Sequence, residues 1–463
     1  MSLWAKIKER MLEHPHSTIC EEEQHYTYEA IIQEVERFLK LLQEDCYAIY
    51  CHSELHAAIA VLACFAAQKT AVPLSYRYGE IHCTRILNCI KPPCIITDIS
   101  EDGELSHEIC VKHNSEAAYV APPEHPALIM FTSGTTGSPK GVMLTEKNLF
   151  CNLQDIHTYF QITQEDRILI PRPLYHCAVL TGEFLISLIV GCDIVFYSKK
   201  FNPLAHFKLI QEEKITVMGN TPTLWKNLCL LAHTTKNPIF LNSLVVSGEV
   251  LPSSTAEVLL RTFPQANIYH VYGLTEASPR VAFMPPWEFA THADSVGYPL
   301  PSISYRIVND NGQNVPLNET GELLISGANI MCGYYQNPTE TDRKLQDGWL
   351  LTGDMASVDV NGFIKIHGRK DDLIIRAGMN IYPGEIEAVL REDERVQDLY
   401  VYGIPDAMYG EAIVLVISGR FASEREVRAL CNQKLPSYEI PTHIKLRPQL
   451  TYTASGKLIR TKE

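Results

Sequence analysis

The sequence predicts an α/β protein built from helix-covered sheets, and three observations carry that reading. Apolar strand-length runs alternate with amphipathic stretches through the first two-thirds of the chain, a short turn-rich section follows, and a mixed segment closes it. Tyr47-Ala48-Ile49-Tyr50 reads as a buried strand, and residues 56–68, rich in small apolar side chains, read as a helix. Residues 94–98 supply the next strand, and the strands at 193–197 and 215–218 bracket a helix over 204–213. Around 298–333 the texture changes to short strands and turns such as Asn309-Asp310-Asn311-Gly312. The expected division is a large N-terminal domain over 1–370, including a β-rich subdomain at about 296–368, and a small α+β domain over 371–463. The boundary is placed at Gly368-Arg369-Lys370-Asp371-Asp372.

Composition narrows the function classes. The 463 residues are 46% hydrophobic and 20% charged, a mix that supports a large core without disulfides or structural metals. The net charge is −14 and the 40 basic residues are scattered, which argues against a nucleic-acid partner. It leaves room for an anionic nucleotide held by a few local cations. The 14 cysteines are dispersed without a Cys-x-x-Cys pair, and the 17 histidines show no zinc-binding spacing, so reduced, packed thiols are expected. No secretory signal and no apolar run long enough to span a bilayer are visible, and a cytoplasmic location is expected.

The most informative segment is Phe131-Thr132-Ser133-Gly134-Thr135-Thr136-Gly137-Ser138-Pro139-Lys140-Gly141, which follows the apolar Ala127-Leu128-Ile129-Met130. Glycines allow a tight turn that brings N–H groups against a polyanion; hydroxyls add donors and Lys140 a point charge. It is not a Walker A loop, because Pro139 precedes the lysine and Gly141 follows it. Such a run reads either as a polar surface loop or as a cradle for the β- and γ-phosphates of ATP, and the Pro-Lys-Gly ending favours the cradle. Further along, Tyr272-Gly273-Leu274-Thr275-Glu276 places an aromatic plate, a hydroxyl and a carboxylate within five residues. These groups suit purine stacking, phosphate contact and Mg²⁺, which prefers oxygen ligands.

The loop resembles the signature of the adenylate-forming superfamily, which holds acyl-CoA synthetases, nonribosomal-peptide adenylation domains and firefly-type luciferases. Further motifs in the family's order extend the resemblance across nearly the whole chain. It implies an N-terminal domain of two helix-covered sheets plus the β-rich subdomain, joined by a hinge at Asp371 to a mobile C-terminal lid. It assigns Thr132, Ser133, Gly134, Thr135, Thr136, Gly137, Lys140, Tyr272 and Gly273 to ATP or AMP. Asp354, in Thr352-Gly353-Asp354, and Arg369 become the ribose contacts, and Thr275 and Glu276 the phosphate and Mg²⁺ groups. Ala377 and Gly378 line a pantetheine tunnel; many relatives carry a second glycine where Ala377 stands. Lys457, in Ser455-Gly456-Lys457, becomes the catalytic cation that offsets charge at the α-phosphate.

The acid is the least determined element. His176, in Pro173-Leu174-Tyr175-His176, stands where acyl- and aryl-CoA synthetases carry an aromatic–histidine pair and amino-acid adenylation domains an aspartate. It therefore disfavours α-amino acids, or else is a packed histidine without a substrate role. Glu249, in Ser247-Gly248-Glu249, either braces a nearby loop or narrows the pocket. Asn220, Thr221 and His270 join the pocket set by motif neighbourhood. The implied activity is ATP-dependent activation of a small-molecule carboxylic acid and transfer to coenzyme A. Transfer to the phosphopantetheine arm of a carrier protein is the alternative, and luciferase-like oxygenase or non-catalytic acyl binding are remoter ones.

Overall fold

The computed structural model describes residues 2–100, 102, 104–133, 139–199, 202–235, 239–376, 379–406, 408–452 and 458–462. Two large sheets dominate the first three hundred residues. In the nine-stranded sheet, Asn267–Gly273, Ser243–Val246, Val217–Asn220, Arg167–Ile170, Asp193–Phe196 and Thr18–Glu21 lie side by side and parallel. Antiparallel strands, Arg280–Met284 and Gln24–Thr27, flank that parallel centre. In the seven-stranded sheet, Leu128–Ser133, Thr70–Pro73, Cys46–Tyr50 and Cys94–Ile99 form the parallel centre. These strands are nearly continuous apolar runs, as expected of strands buried on both faces.

The helix Glu54–Ala66 sits between the two sheets, touching Thr18–Glu21 of one and Cys46–Tyr50 and Thr70–Pro73 of the other. Its residues from Glu54 to Phe65 are buried on every side, which explains why its sequence is apolar all round rather than striped. Ser53 starts it, its hydroxyl accepting from the His56 N–H at 3.0 Å. The observed helix starts and ends two residues before the expected limits, because the Ser53 cap sets its first turn ahead of the apolar run.

A third, five-stranded sheet contains Ser304–Val308, Gly321–Ser326, Leu345–Gln346, Trp349–Val358 and Ile364–Arg369. Two short strands within the turn-rich stretch go elsewhere. Tyr298–Pro299 extends the nine-stranded sheet beside Arg280–Met284, and Gly333–Tyr334 extends the seven-stranded sheet beside Pro139–Leu144. Every strand after residue 373 belongs to a fourth sheet, backed by the helices Pro383–Leu390 and Glu424–Lys434. That sheet has its own apolar core, including Ile386, Leu399, Leu415 and Val427.

The segment around 328–335 laces the sheets together. Thr145 caps the helix Glu146–Tyr159 in a reciprocal box with Asn148, whose amide also donates to the Ala328 and Ile330 carbonyls at 2.8 and 2.7 Å. The fully buried Asn329 donates to the Ala277 carbonyl at 2.7 Å, while the Ser278 hydroxyl donates to the Asn329 carbonyl at 2.7 Å. Tyr335 N–H then reaches the Gly141 carbonyl at 2.7 Å.

Asn329→Leu should therefore strand buried backbone carbonyls and lower stability by about 1–3 kcal/mol in urea unfolding. Asn311→Ala, at an exposed turn, should move it by no more than about 0.5 kcal/mol. An unshifted urea midpoint for Asn329→Leu would show that the lacing carries no stability.

Candidate active site

Asp354 is the node of the site. It lies in the strand Trp349–Val358 directly opposite Arg369 at the end of Ile364–Arg369. Its Oδ1 accepts from Arg369 Nη1 at 2.9 Å, and its Oδ2 accepts from the Tyr272 hydroxyl. The Asp354 N–H donates to Thr352 Oγ1 at 3.0 Å, and that hydroxyl donates to the Leu323 carbonyl at 2.7 Å, so the carboxylate is fixed from behind. Burial, followed by the Asp354 charge, pushes the Tyr272 hydroxyl well above its ordinary value and keeps it a donor. Tyr272 comes from the nine-stranded sheet and Asp354 from the third sheet, so one carboxylate joins two layers.

Glu276 follows in the 3₁₀ turn Thr275–Ala277. Its Oε1 accepts from the Tyr334 hydroxyl at 2.8 Å, and Met331 N–H donates to its carbonyl at 2.8 Å. No protein donor reaches its Oε2 among the described residues, which leaves an oxygen suited to a hard cation. The turn needs Gly273: a Cβ there would overlap the Pro279 carbonyl oxygen and stand 3.2 Å from Arg280 Cα.

The strands on either side of the Gly/Ser/Thr loop form a hairpin in which Thr132 pairs with Lys140 and Ser133 with Pro139. Lys140 Nζ binds Glu340 Oε1 at 2.6 Å and lies 5.8 Å from the centre of the Tyr334 ring. Hydrogen bonds from Arg343 first, then Lys140, hold the Glu340 carboxyl down at about 2. Lys344 donates to the Leu351 carbonyl at 3.1 Å beside Gly353; burial first, then Arg369 and Arg343, lower its pKa. Tyr334, Glu340 and Lys344 escaped the sequence reading. Asn337 caps the helix Pro338–Lys344 that carries Glu340, but nothing in the sequence marks its nearness to Lys140, two hundred residues away.

The candidates for the acyl side lie at the ends of parallel strands, where open α/β sheets place ligands. Asn220 ends Val217–Asn220, and Ser247 N–H donates to its carbonyl at 3.1 Å. Among the described residues, Asn220 Nδ2, Thr221 Oγ1 and Ser247 Oγ are buried without a protein partner, a concentration of polar atoms that a ligand would satisfy. Glu249 Oε2 accepts from Thr223 Oγ1 at 2.9 Å, and burial raises its pKa. His270 Nδ1 lies 2.9 Å from the Ser295 carbonyl and must be the protonated nitrogen, because a carbonyl only accepts. His176 precedes the helix Cys177–Val179, its ring edge-on to Tyr175, whose hydroxyl donates to the Phe131 carbonyl at 2.9 Å.

A cleft of about 1570 Å³ is lined by Tyr272, Asp354, Arg369, Gly248, Glu249 and His270 on one side. Arg391, Asp398 and Tyr452, from the C-terminal part, line the other. Asp371 lies in the single 3₁₀ turn Lys370–Asp372 between the third and fourth sheets and is exposed. Gly134, Thr135, Thr136 and Gly137, together with Ala377, Gly378 and Lys457, lie outside the described residues.

Comparison with known proteins agrees with this geometry. The family described as AMP-binding enzyme matches residues 7–335, and AMP-binding enzyme C-terminal domain matches residues 385–457. A feruloyl-CoA synthase of Amycolatopsis sp is 33% identical over 86% of this chain and 84% of its own length. A long-chain-fatty-acid–CoA ligase of Bacillus subtilis (strain 168) is 33% identical over 76% of this chain and 64% of its own. The matched part spans 57–64% of the length of several acyl-CoA synthetase and ligase relatives. Among solved structures, o-succinylbenzoate CoA synthetase from Bacillus subtilis, in complex with its acyl-adenylate intermediate, superposes with a TM-score of 0.86. It is 26% identical and covers 100% of this chain and 98% of that one.

Burial pushes His270 down to about 4, while an unfolded chain takes up that proton near 6.5. Between those values the unfolded state binds more protons, so stability falls as pH drops from about 6.5 to about 4. His270→Gln, which keeps a donor toward Ser295, should flatten that slope in denaturant titrations across the window. An identical slope in wild type and variant would contradict a buried neutral histidine.

Proposed function

Because the chain belongs to the AMP-binding enzyme family, we propose that it is an AMP-forming acid–thiol ligase. A carboxylate oxygen attacks the α-phosphorus of ATP, the bond to the bridging oxygen breaks, and pyrophosphate leaves. A thiol then attacks the acyl carbon of the adenylate and AMP departs. The observation that carries the reading is the Asp354 node, a carboxylate held by Tyr272 and Arg369, all three of which line one cleft, with Glu276 four residues beyond Tyr272.

The residues fit a magnesium nucleotide. Asp354 and Arg369 present an acceptor and donors to ribose hydroxyls, and Tyr272 offers an aromatic face to the base. Glu276 would hold Mg²⁺ through its oxygens; that ion supplies neutralisation of the phosphate charge. Thr275 and Lys140 provide a donor and a cation for phosphate, the latter by leaving Glu340. Lys457 is assigned the charge at the reacting carboxylate and α-phosphate. Asp371 is assigned the hinge between a body over 1–370 and a lid over 371–463, and Ala377 and Gly378 the thiol's path.

Coenzyme A is the favoured acceptor, since the relatives carry CoA ligase names; a carrier-protein phosphopantetheine is the second reading. His176 in place of an acidic residue favours acids without an α-ammonium group. No helix among the described residues is long and apolar enough to cross a membrane. The 14 free cysteines and the ATP requirement fit the reducing cytoplasm.

The test is acid-dependent ATP–pyrophosphate exchange over a broad acid panel, followed by CoA and a pantetheinylated carrier offered side by side. Lys457→Ala should slow exchange about 100- to 1,000-fold while sparing thioester formation from supplied acyl-adenylate. Equal loss of both half-reactions would refute this division of labour. Asp354→Ala should raise the KM for ATP more than it lowers kcat, and an unaltered KM would remove Asp354 from the nucleotide site.

A further inference from the structure

Arg280 opens the strand Arg280–Met284, four residues beyond Glu276, and is 2% exposed. Val281, Ala282 and Phe283 follow it, so a cation stands at the head of an apolar strand. Its backbone is satisfied, the N–H by Asn152 Oδ1 at 3.2 Å and the carbonyl by Asn152 Nδ2 at 2.8 Å. Its side chain is not. Among the described residues it has no ion pair and no hydrogen-bond acceptor, and its Nε is buried without a partner. A guanidinium cannot shed its charge, so burial cannot be relieved by deprotonation, and a buried unpaired charge is strongly unfavourable.

The group sits on the acyl side of the site. It packs over Gly182, in the π-helical turn Leu180–Leu185 that follows His176 and Cys177. A Cβ on Gly182 would stand 2.8 Å from Nη2 and 3.1 Å from Cζ, so the glycine makes the room that the guanidinium occupies. Arg280 also stands directly opposite Gly273 across the hairpin, two residues before the turn Thr275–Ala277 that carries Glu276. The acid next along the π-helical turn, Glu183, is engaged by Arg172 and packs against Gly219 instead. Among the described residues no acid pairs with Arg280, and an anionic group on a ligand would supply the missing counter-charge.

Resting on the acid-activating reading above, we infer that Arg280 receives a second anionic group at the far end of the acid. The substrate class is then a dicarboxylate, one carboxylate adenylated near Glu276 and the other held by the guanidinium fork. Arg280 is a specificity-determining residue that touches the non-reacting end of the substrate. An apolar tail of the same length would leave the charge buried and unpaired, which is what makes the discrimination steep.

The experiment measures pyrophosphate exchange for three matched sets, aliphatic and aromatic: diacids, their monomethyl esters, and monoacids of equal length. Wild type should favour a diacid over its own monoester by roughly 100-fold or more in kcat/KM. Arg280→Met should lose most of that factor through KM for the diacid, retain exchange with the monoester, and be partly rescued as Arg280→Lys. Equal use of diacid and monoester by wild type would overturn the inference without recourse to any variant. Exchange with monoacids alone would overturn it while leaving acid activation standing. Absence of exchange with every acid would overturn acid activation and this inference together.

Discussion

The buried hydrogen bonds at Asn329 set the geometry on which the site depends. An amide side chain with no exposure satisfies the carbonyl of the turn that carries Glu276, while Ser278 of the same turn answers the carbonyl of Asn329. In a dry interior such bonds are costly to leave unmade, so the segment behind them has one position. From that position follow the pairing of Gly333–Tyr334 with Pro139–Leu144 and the reach of Tyr334 to Glu276. The same placement leads the chain to Glu340 beside Lys140. Four segments distant in sequence become one surface because a few backbone carbonyls must be answered.

Charge is arranged with the same economy. A protein of net charge −14 keeps its site cations by giving each a specific counter-group. Arg369 is matched to Asp354, Lys140 and Arg343 share Glu340, and Arg172 is matched to Glu183. Lys344 is set against a backbone carbonyl. These pairings fix where each cation stands, so a polyanion bound there, on the proposed reading, would exchange partners with cations already in place. Arg280 departs from the pattern, having no counter-group among the described residues.

Much of the architecture could be read from the residues because parallel strands buried on both faces are continuous apolar runs. Cys46–Tyr50 and Cys94–Ile99 announce themselves in this way. Tyr272 stood out because an aromatic ring, a glycine, a hydroxyl and a carboxylate fall within five residues, whereas Asp354 and Arg369 were marked only by the family resemblance of their motifs. Long-range pairings could not be read. A two-residue strand such as Gly333–Tyr334 has no periodicity, and its partner lies almost two hundred residues earlier. The bond from Lys140 to Glu340 is similarly silent in sequence. Arg280 was visible in principle, as a cation opening Arg280-Val281-Ala282-Phe283-Met284, yet its lack of a partner is a property of the folded interior alone.

Gly273 has a consequence for how this chain can change over generations. Its missing side chain is the space through which the Pro279 carbonyl passes, and even a methyl group there would meet backbone. Backbone cannot swing aside as a long side chain can, so no stepwise route through alanine or serine exists at this position. A side chain at Gly273 therefore requires the facing backbone to move, and Arg280 stands in that facing strand. The hairpin thus sets a strand position that admits no side chain directly across from a strand that opens with a buried cation.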